Sequence, residues 1–249
     1  MNETMSSILK SVSKPGRYSG GEFGQILKDK KTVKARFAFC FPDSYEIGLS
    51  NLGIQILYGA LNREPDIWCE RAYTPWPDMQ DQMQAYDLPL TAHESGDPLG
   101  MFDIVGFTLQ YEMCYTNVLN MLALAKIPLR ASDRGEEDPI IIGGGPCSYN
   151  PEPVADFFDC FSIGEGEESL VEFTKLYIRM KAEGTYTRKA FLHAAACLGQ
   201  GIYVPSLYDV TYHEDGTVKA YQPIYEDVPS RVTKAIMKDM DKAFYPEKV

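Results

Sequence analysis

The sequence predicts an α/β protein built on a doubly wound, mostly parallel sheet, with a small α+β appendage towards its C-terminal end. Three observations predict it. Apolar runs such as ARFAFCF (35–41) and PIIIGGG (139–145) are nearly continuous instead of alternating, which marks strands buried on both faces. Each run stops at a turn rich in glycine, proline or acidic residues, and each turn leads into a segment with helical spacing. Strands alternating with helices of this length pack as parallel strands joined by right-handed crossovers.

Residues 1–32 read as a polar, glycine-bearing lead-in (KPGRYSGGEFG) with one helical turn at GQILKD and little contribution to a core. Residues 33–183 read as the main domain. Its first strand, ARFAFCF, stops at Pro42 and Asp43. After the loop PDSYEIGLS, Asn51 is an N-cap for the helix LGIQILYGALN, with Leu52, Ile56 and Leu57 on one face. DIWCERAYT (66–74) reads as the second strand and WPDMQDQMQAY, with proline near its start, as the second helix. LPLTAHES follows as a shorter extended piece. FDIVGFTLQ (102–110) is the next strand, EMCYTNVLNMLALA the next helix and IPLRAS a further short strand. PIIIGGG with PEPVADFF, and then DCFSIGEGEESLVEFTKLYIRMKAEG, repeat strand, glycine turn and helix twice more. Residues 184–249 read as a linker and small β appendage: a short helix, TRKAFLHAAACLG, strands alternating around the hairpin signal Asp215-Gly216, and a charged tail without a capping pattern.

Composition narrows the function classes. With 45% hydrophobic and 24% charged residues, and no low-complexity tract or fixed-period repeat, the 249-residue chain has the make-up of an ordinary globular protein. Its longest apolar runs fall far short of the roughly 20 residues that cross a bilayer. The start MNETMSSILKSVSK lacks the pattern of a secretion signal, so a cytoplasmic location is expected, away from membranes. A net charge of −11 opposes approach to phosphate backbones, so nucleic acid is not expected as a direct partner. Cys40, Cys69, Cys114, Cys147, Cys160 and Cys197 form no CxxC or CxxxCxxC group and read as buried thiols. His93, His193 and His213 show no HxxxH or HxH spacing, so no metal site is expected. There is no GxSxG elbow, and no cysteine has an evident histidine partner, so no catalytic residue is assigned.

The chemistry-bearing features are turns. Gly143, Gly144 and Gly145, followed by Pro146, end an apolar strand, where missing side chains let a backbone approach a ligand. Gly164, Glu165, Gly166 and Glu167 end the next strand and open a helix. Carboxylates there suit the helix dipole but repel phosphate, and so favour hydroxyl or amide groups. Gly106, Phe107, Thr108 and Leu109, with Gln110, form a third turn, in which Thr108 offers a hydrogen bond. PDSYEIGLS with Asn51 forms a fourth. Turns that all follow parallel strands lie along one sheet edge, which predicts a ligand cleft there. None matches GxGxxG or GxxxxGK[ST], which argues against a dinucleotide or Walker-type site. Asp43, Glu46, Glu70, Asp78, Glu94 and Glu112 read as solvated surface.

Taken together, PDSYEIGLSNLGIQILY, FDIVGFTLQYEMCYTNVLNMLALAKIPL, IIGGGPCSYNPEPVADFFDCFSIGEGEE and GIYVPSLY resemble the N-terminal region of an uncharacterised family of radical SAM proteins with a cobalamin-binding-like domain, over roughly residues 15–249. The resemblance implies a Rossmann-like cobalamin-binding fold in front of a radical SAM barrel, with cobalamin or its nucleotide tail lying on the turns Gly106–Leu109, Gly143–Pro146 and Gly164–Glu167. Two departures stand out. The DxHxxG motif that supplies an axial histidine in one type of cobalamin domain is absent, so cobalamin would be held without that ligand. The CxxxCxxC motif of the iron–sulfur cluster is also absent, and in this family it would lie just beyond Tyr245-Pro246. The expectation is thus a chain without the catalytic half, where the 4Fe-4S cluster and S-adenosylmethionine would bind. It would work on an unnamed substrate with a fused or separately encoded radical SAM domain. Two other readings stand beside it: a cofactor-free scaffold for that domain, with Phe107, Gln110 and Tyr111 filling the cleft, and a stand-alone enzyme on a nucleotide-like substrate using Glu165 and Glu167.

Overall fold

The computed structural model describes residues 3–246, with side chains from residue 5 onward. Five parallel strands form the sheet: β1 (Ala35–Phe41), β2 (Ile67–Tyr73), β3 (Ile104–Thr108), β4 (Ile140–Gly144) and β5 (Cys160–Ser162). A short sixth strand, β6 (Ile202–Tyr203), joins β5 antiparallel, and the spatial order is β2-β1-β3-β4-β5-β6. The parallel register pairs Phe39 with Gly106 and Arg71, and Gly106 with Ile142, so these side-chain positions share one face. The chain moves outward from β1 to β2 in one direction and from β3 to β4 in the other. Right-handed crossovers therefore place the connecting helices on opposite faces, and the strand order reverses between β1 and β3.

Over the face carrying Phe37 and Phe39, helix α3 (Leu52–Arg63) packs beside α6 (Gly166–Glu183). On the other face α4 (Pro77–Ala85) packs with α5 (Tyr115–Leu124). Asn51 caps α3 as its position predicts: its Oδ1 accepts from the Ile54 amide at 3.1 Å. The buried stripe of α3 is Ile54, Tyr58 and Leu61, whereas Leu52 is exposed and Ile56 and Leu57 border a cleft, so the expected apolar face is rotated. A short helix, α2 (Tyr45–Leu49), precedes α3.

Several local expectations change. The lead-in contains a helix, α1 (Glu3–Ser11), and Ile8 and Val12 reach the main core, while GQILKD forms no helix. Glu22 anchors this region through His93 and Arg71. IPLRAS forms no strand because Arg134 folds back and donates to the carbonyls of Pro128 (3.0 Å) and Leu129 (2.7 Å) that a ladder would need. In PEPVADFF, Pro151 and Pro153 remove two amide donors at the start, and the segment turns as a 3-10 helix over Glu152–Phe157. LPLTAHES is a loop whose Leu90 amide bonds the Leu124 carbonyl at 2.9 Å. The side chains of Glu70 and Glu94 are buried rather than solvated, because Arg36 and Arg71 neutralise them: Glu94 takes both the Arg71 amide and its Nε at 2.6 Å.

Beyond α6, helix α7 (Arg188–Ala196) sets Phe191 against Phe173 and Tyr177 of α6. Buried Arg188 reaches Asp159 at 2.7 Å, and Arg134 reaches the same carboxylate at 3.1 Å. The Asp159 carboxylate also accepts the Ile141 amide at 2.7 Å, which ties this network to the N-terminal end of β4. Strands β7 (Tyr208–Tyr212) and β8 (Val218–Pro223) form a separate antiparallel hairpin, as Asp215-Gly216 predicts. No helix among the described residues is long and apolar enough to cross a membrane.

Candidate functional site

The carboxyl ends of β1, β3, β4 and β5 surround a cleft of about 230 Å³ between the sheet and the first turns of α3 and α6. Its floor is Phe37, Phe39 and Ile142; its walls are Leu57 and Leu170; its polar rim includes Thr108, Gln110, Ser162 and Glu167. Gly106 and Gly144 lie on this face of the sheet; the missing side chain of Gly106 admits the Phe37 ring, and that of Gly144 leaves the cleft its depth. It lies beside the point where the strand order reverses, the edge at which open α/β sheets bind ligands. At that point Tyr111 Oη donates to Asp43 Oδ2 at 2.5 Å, linking the loops after β1 and β3. This bond, with some burial, raises the Tyr111 phenol to about 12.

The structure sorts the candidate turn residues by what each does locally. Gly106, Thr108, Gly144, Gly145, Gly164, Glu165, Gly166 and Glu167 border the cleft with their side chains or backbone. Asn51 does not border it; its side chain is taken by the α3 cap. Phe107 borders it only with its backbone: its ring is on the other face, edge-on to Phe158 at 6.1 Å. Leu109 is fully buried, and its backbone joins Gly144 and Cys147 instead. Pro146 is exposed and starts a short 3-10 turn outside the cleft.

The glycines divide further. A Cβ on Gly106 would meet the Phe37 ring at 2.7 Å, and one on Gly143 would meet Phe161 at 2.8 Å, so packing alone requires both. Gly145 has φ +93, and a Cβ there would crowd the Leu109 backbone at 3.0 Å. Gly164, at φ +103, approaches Ala235 so closely that any side chain would collide with its carbonyl. Gly144 is different: its φ is not positive, and the nearest atom to an added Cβ is the Ser162 carbonyl at 3.7 Å. Nothing in the protein's own packing requires a glycine at this position.

The C-terminal segment runs against the cleft. Ala235 pairs with the Gly164 turn: its amide bonds the Ile163 carbonyl at 2.8 Å, and its carbonyl accepts the Glu165 amide at 3.0 Å. The Glu165 carboxylate accepts the Met237 amide, which leaves Glu167 as the less committed carboxylate at this edge. Further along, Phe244 lies on Gly59 of α3, with the Arg63 guanidinium 4.8 Å from its ring. This strap is invisible to local sequence patterns, because only its pairing with Gly164 and its close approach to Gly201 reveal it.

Sequence reasoning also missed a 430 Å³ cavity between the lead-in and the loop before β3, lined by Tyr45, Tyr73, His93, Met79 and Met83. Its walls come from segments far apart in sequence, so no motif marks it. None of His93, His193 and His213 borders the sheet-edge cleft, in line with the missing histidine motif.

The open sheet, its strand order and the cleft at its carboxyl edge define the class: a doubly wound α/β domain of the kind that binds ligands where the strand order reverses. The family model described as radical SAM proteins, N-terminal, matches residues 53–205, more than half of the chain, and the chain belongs to that family. The match begins inside α3 and ends after β6, so it takes in most of the sheet and most of the cleft. An uncharacterized protein of Methanocaldococcus jannaschii is 28% identical over 152 residues, which are 61% of this chain and 28% of that protein. The chain thus matches well under a third of that relative's length. No solved structure matches.

Proposed function

We propose that this chain is the cobalamin-binding N-terminal domain of a radical SAM protein and holds its cofactor without a histidine ligand. The observation that carries this reading is Gly144, a glycine that internal packing does not need, at the mouth of a cleft that its missing side chain keeps open. The residues fit part of the group. A slot of about 230 Å³ with Phe37 and Phe39 below and Leu57 and Leu170 beside it is the size of the heteroaromatic tail of cobalamin, and too small for the corrin ring. The slot would therefore take the tail alone, with the corrin ring outside it. Thr108, Gln110, Ser162 and Glu167 would meet hydroxyl and amide groups around the tail. When bound, the cofactor would supply a cobalt centre able to carry a methyl group, and a radical SAM domain would supply the radical chemistry. This chain's residues would grip the tail, keep water from it and orient the ring towards that partner.

The companion reading, a scaffold without cofactor, draws on a different observation. Gly106, Gly143 and Gly164 have sufficient structural reasons, and Trp76, Met113 and Tyr149 expose apolar surface around the same edge, where a catalytic domain would dock. One experiment separates the two. Purified chain is titrated with hydroxocobalamin and passed through a desalting column. The cobalamin reading expects stoichiometric retention, with weaker retention of cobinamide, which lacks the nucleotide tail. No retention at tens of micromolar would leave the scaffold.

A further inference from the structure

We propose that His193, Cys197 and Asp227 form a divalent-metal site of zinc type at the C-terminal end of α7, outside the cleft. His193 and Cys197 stand four positions apart at the end of α7, so they project from one side of the helix. Asp227 arrives from the segment after β8. A His193 ring nitrogen, Cys197 Sγ and an Asp227 carboxylate oxygen all lie within 4.8 Å of one another, and Nε2 stands 3.0 Å from Oδ1. Around a tetrahedral zinc, ligand distances of about 2.0–2.3 Å place donor atoms ~3.3–3.6 Å apart. The observed spacing needs a closure of at most ~1.2–1.5 Å at the thiol and a slight opening of the His193–Asp227 pair, and the exposed Cys197 side chain is free to rotate.

The arrangement does not depend on the side chains alone. The Tyr225 ring lies 4.9 Å from the His193 ring and tilted on it, Val228 is buried, and Tyr208 Oη donates to the Pro229 carbonyl at 2.8 Å. The Cys197 thiol donates to the Asp227 backbone carbonyl at 3.5 Å. The backbone around Asp227 is therefore held against α7 before any metal arrives. An imidazole, a thiolate and a carboxylate form the mixed N, S, O set that prefers zinc to magnesium or calcium, and their two negative charges balance a divalent ion. Binding would release the thiol proton and leave one coordination position for water. The segment so pinned leads on to Ala235–Met237, which pairs with the cleft turn at Gly164, so the metal would fix the approach of the strap.

The test is an anaerobic titration of the reduced, metal-stripped, tag-free chain with Co²⁺, followed by displacement with Zn²⁺. The site predicts one Co²⁺ per chain, with a near-ultraviolet thiolate-to-cobalt charge-transfer band and the intense visible bands of a tetrahedral centre. Cys197→Ser should abolish the charge-transfer band while Cys147→Ser, at the other accessible cysteine, keeps it. His193→Gln and Asp227→Asn should each weaken binding by more than about tenfold, given that loss of a ligand's hydrogen-bonding partner alone costs about 10–100-fold. All four positions are at least partly accessible, so far-ultraviolet circular dichroism should not change. A Co²⁺ complex without a thiolate band, a band that survives Cys197→Ser, or weak uptake indifferent to His193→Gln would each overturn the proposal.

Discussion

Alanine at two neighbouring glycines, Gly143 and Gly144, should move stability in opposite directions. At Gly143 the new methyl would stand 2.8 Å from Phe161 Cδ1 and 3.1 Å from Phe158 Cδ1, inside a core with no room to yield. Overpacking of this kind costs about 1–3 kcal/mol. At Gly144 the nearest atom is 3.7 Å away and the backbone suits an L-residue, so alanine should stabilise by about 0.4–1 kcal/mol through the reduced entropy of the unfolded chain. Such a gain raises Tm by up to ~4 °C in a protein of this size. Differential scanning calorimetry or urea unfolding reads both. If Gly144→Ala loses as much stability as Gly143→Ala, Gly144 is a packing glycine and the argument for an open cleft fails. The same position carries the functional arm. Gly144→Trp should place an indole in the 230 Å³ cleft and weaken hydroxocobalamin retention by at least about tenfold, or ~1.4 kcal/mol. A folded Gly144→Trp protein that retains cobalamin as well as the parent would refute the cleft as its site.

Other outcomes follow from the strap, the buried charges and the lead-in. Gly164→Ala combines a positive φ with a collision at the Ala235 carbonyl, so the strap should detach and limited proteolysis should cut between Ala235 and Phe244 much faster; unchanged cleavage would show that the strap does not depend on this contact. Asp159→Asn leaves buried Arg134 and Arg188 without their shared carboxylate and should cost about 3–5 kcal/mol in chemical denaturation, a loss below ~1 kcal/mol being the result against it. Glu46 is held at about 2, first by its hydrogen bond to Arg17, so its link to the lead-in is fully present above 4.5 and is lost as pH falls through about 2. Carboxyl NMR should find that low titration in the parent and a clearly higher one in Arg17→Gln, still below 4.5 because the backbone hydrogen bond and Lys14 remain; a parent value already near 4.5 would remove the pairing.

Much of the frame was legible because its signals are local. ARFAFCF occupies β1 residue for residue, Asn51 makes the cap its side chain predicts, and Asp215-Gly216 turns the β7–β8 hairpin. Strand-end turns converge because parallel strands share a carboxyl edge, so Gly106, Gly144 and the Gly164–Glu167 turn meet at one cleft. Failures came where distant residues decide. Glu70 and Glu94 look solvated until Arg36 and Arg71 are seen beside them, and Arg134 dissolves the expected IPLRAS strand by taking its carbonyls. Cys197 stands exposed at the end of a helix whose inner face is buried, a distinction that a widely spaced cysteine cannot signal by itself.

The sequence by itself determined which segments become strands and helices, that the strands run parallel, and through its long motifs the family expectation, because periodicity, caps and turn chemistry act over a few residues. Only the tertiary structure decided why each glycine is there. A missing side chain looks the same at Gly106, Gly143, Gly144 and Gly164, and what it makes room for is a ring, the open cleft or a strap brought from elsewhere in the chain. It also decided that Asp227, thirty residues beyond Cys197, faces the end of α7, since that proximity depends on how the hairpin returns and not on any spacing in the sequence.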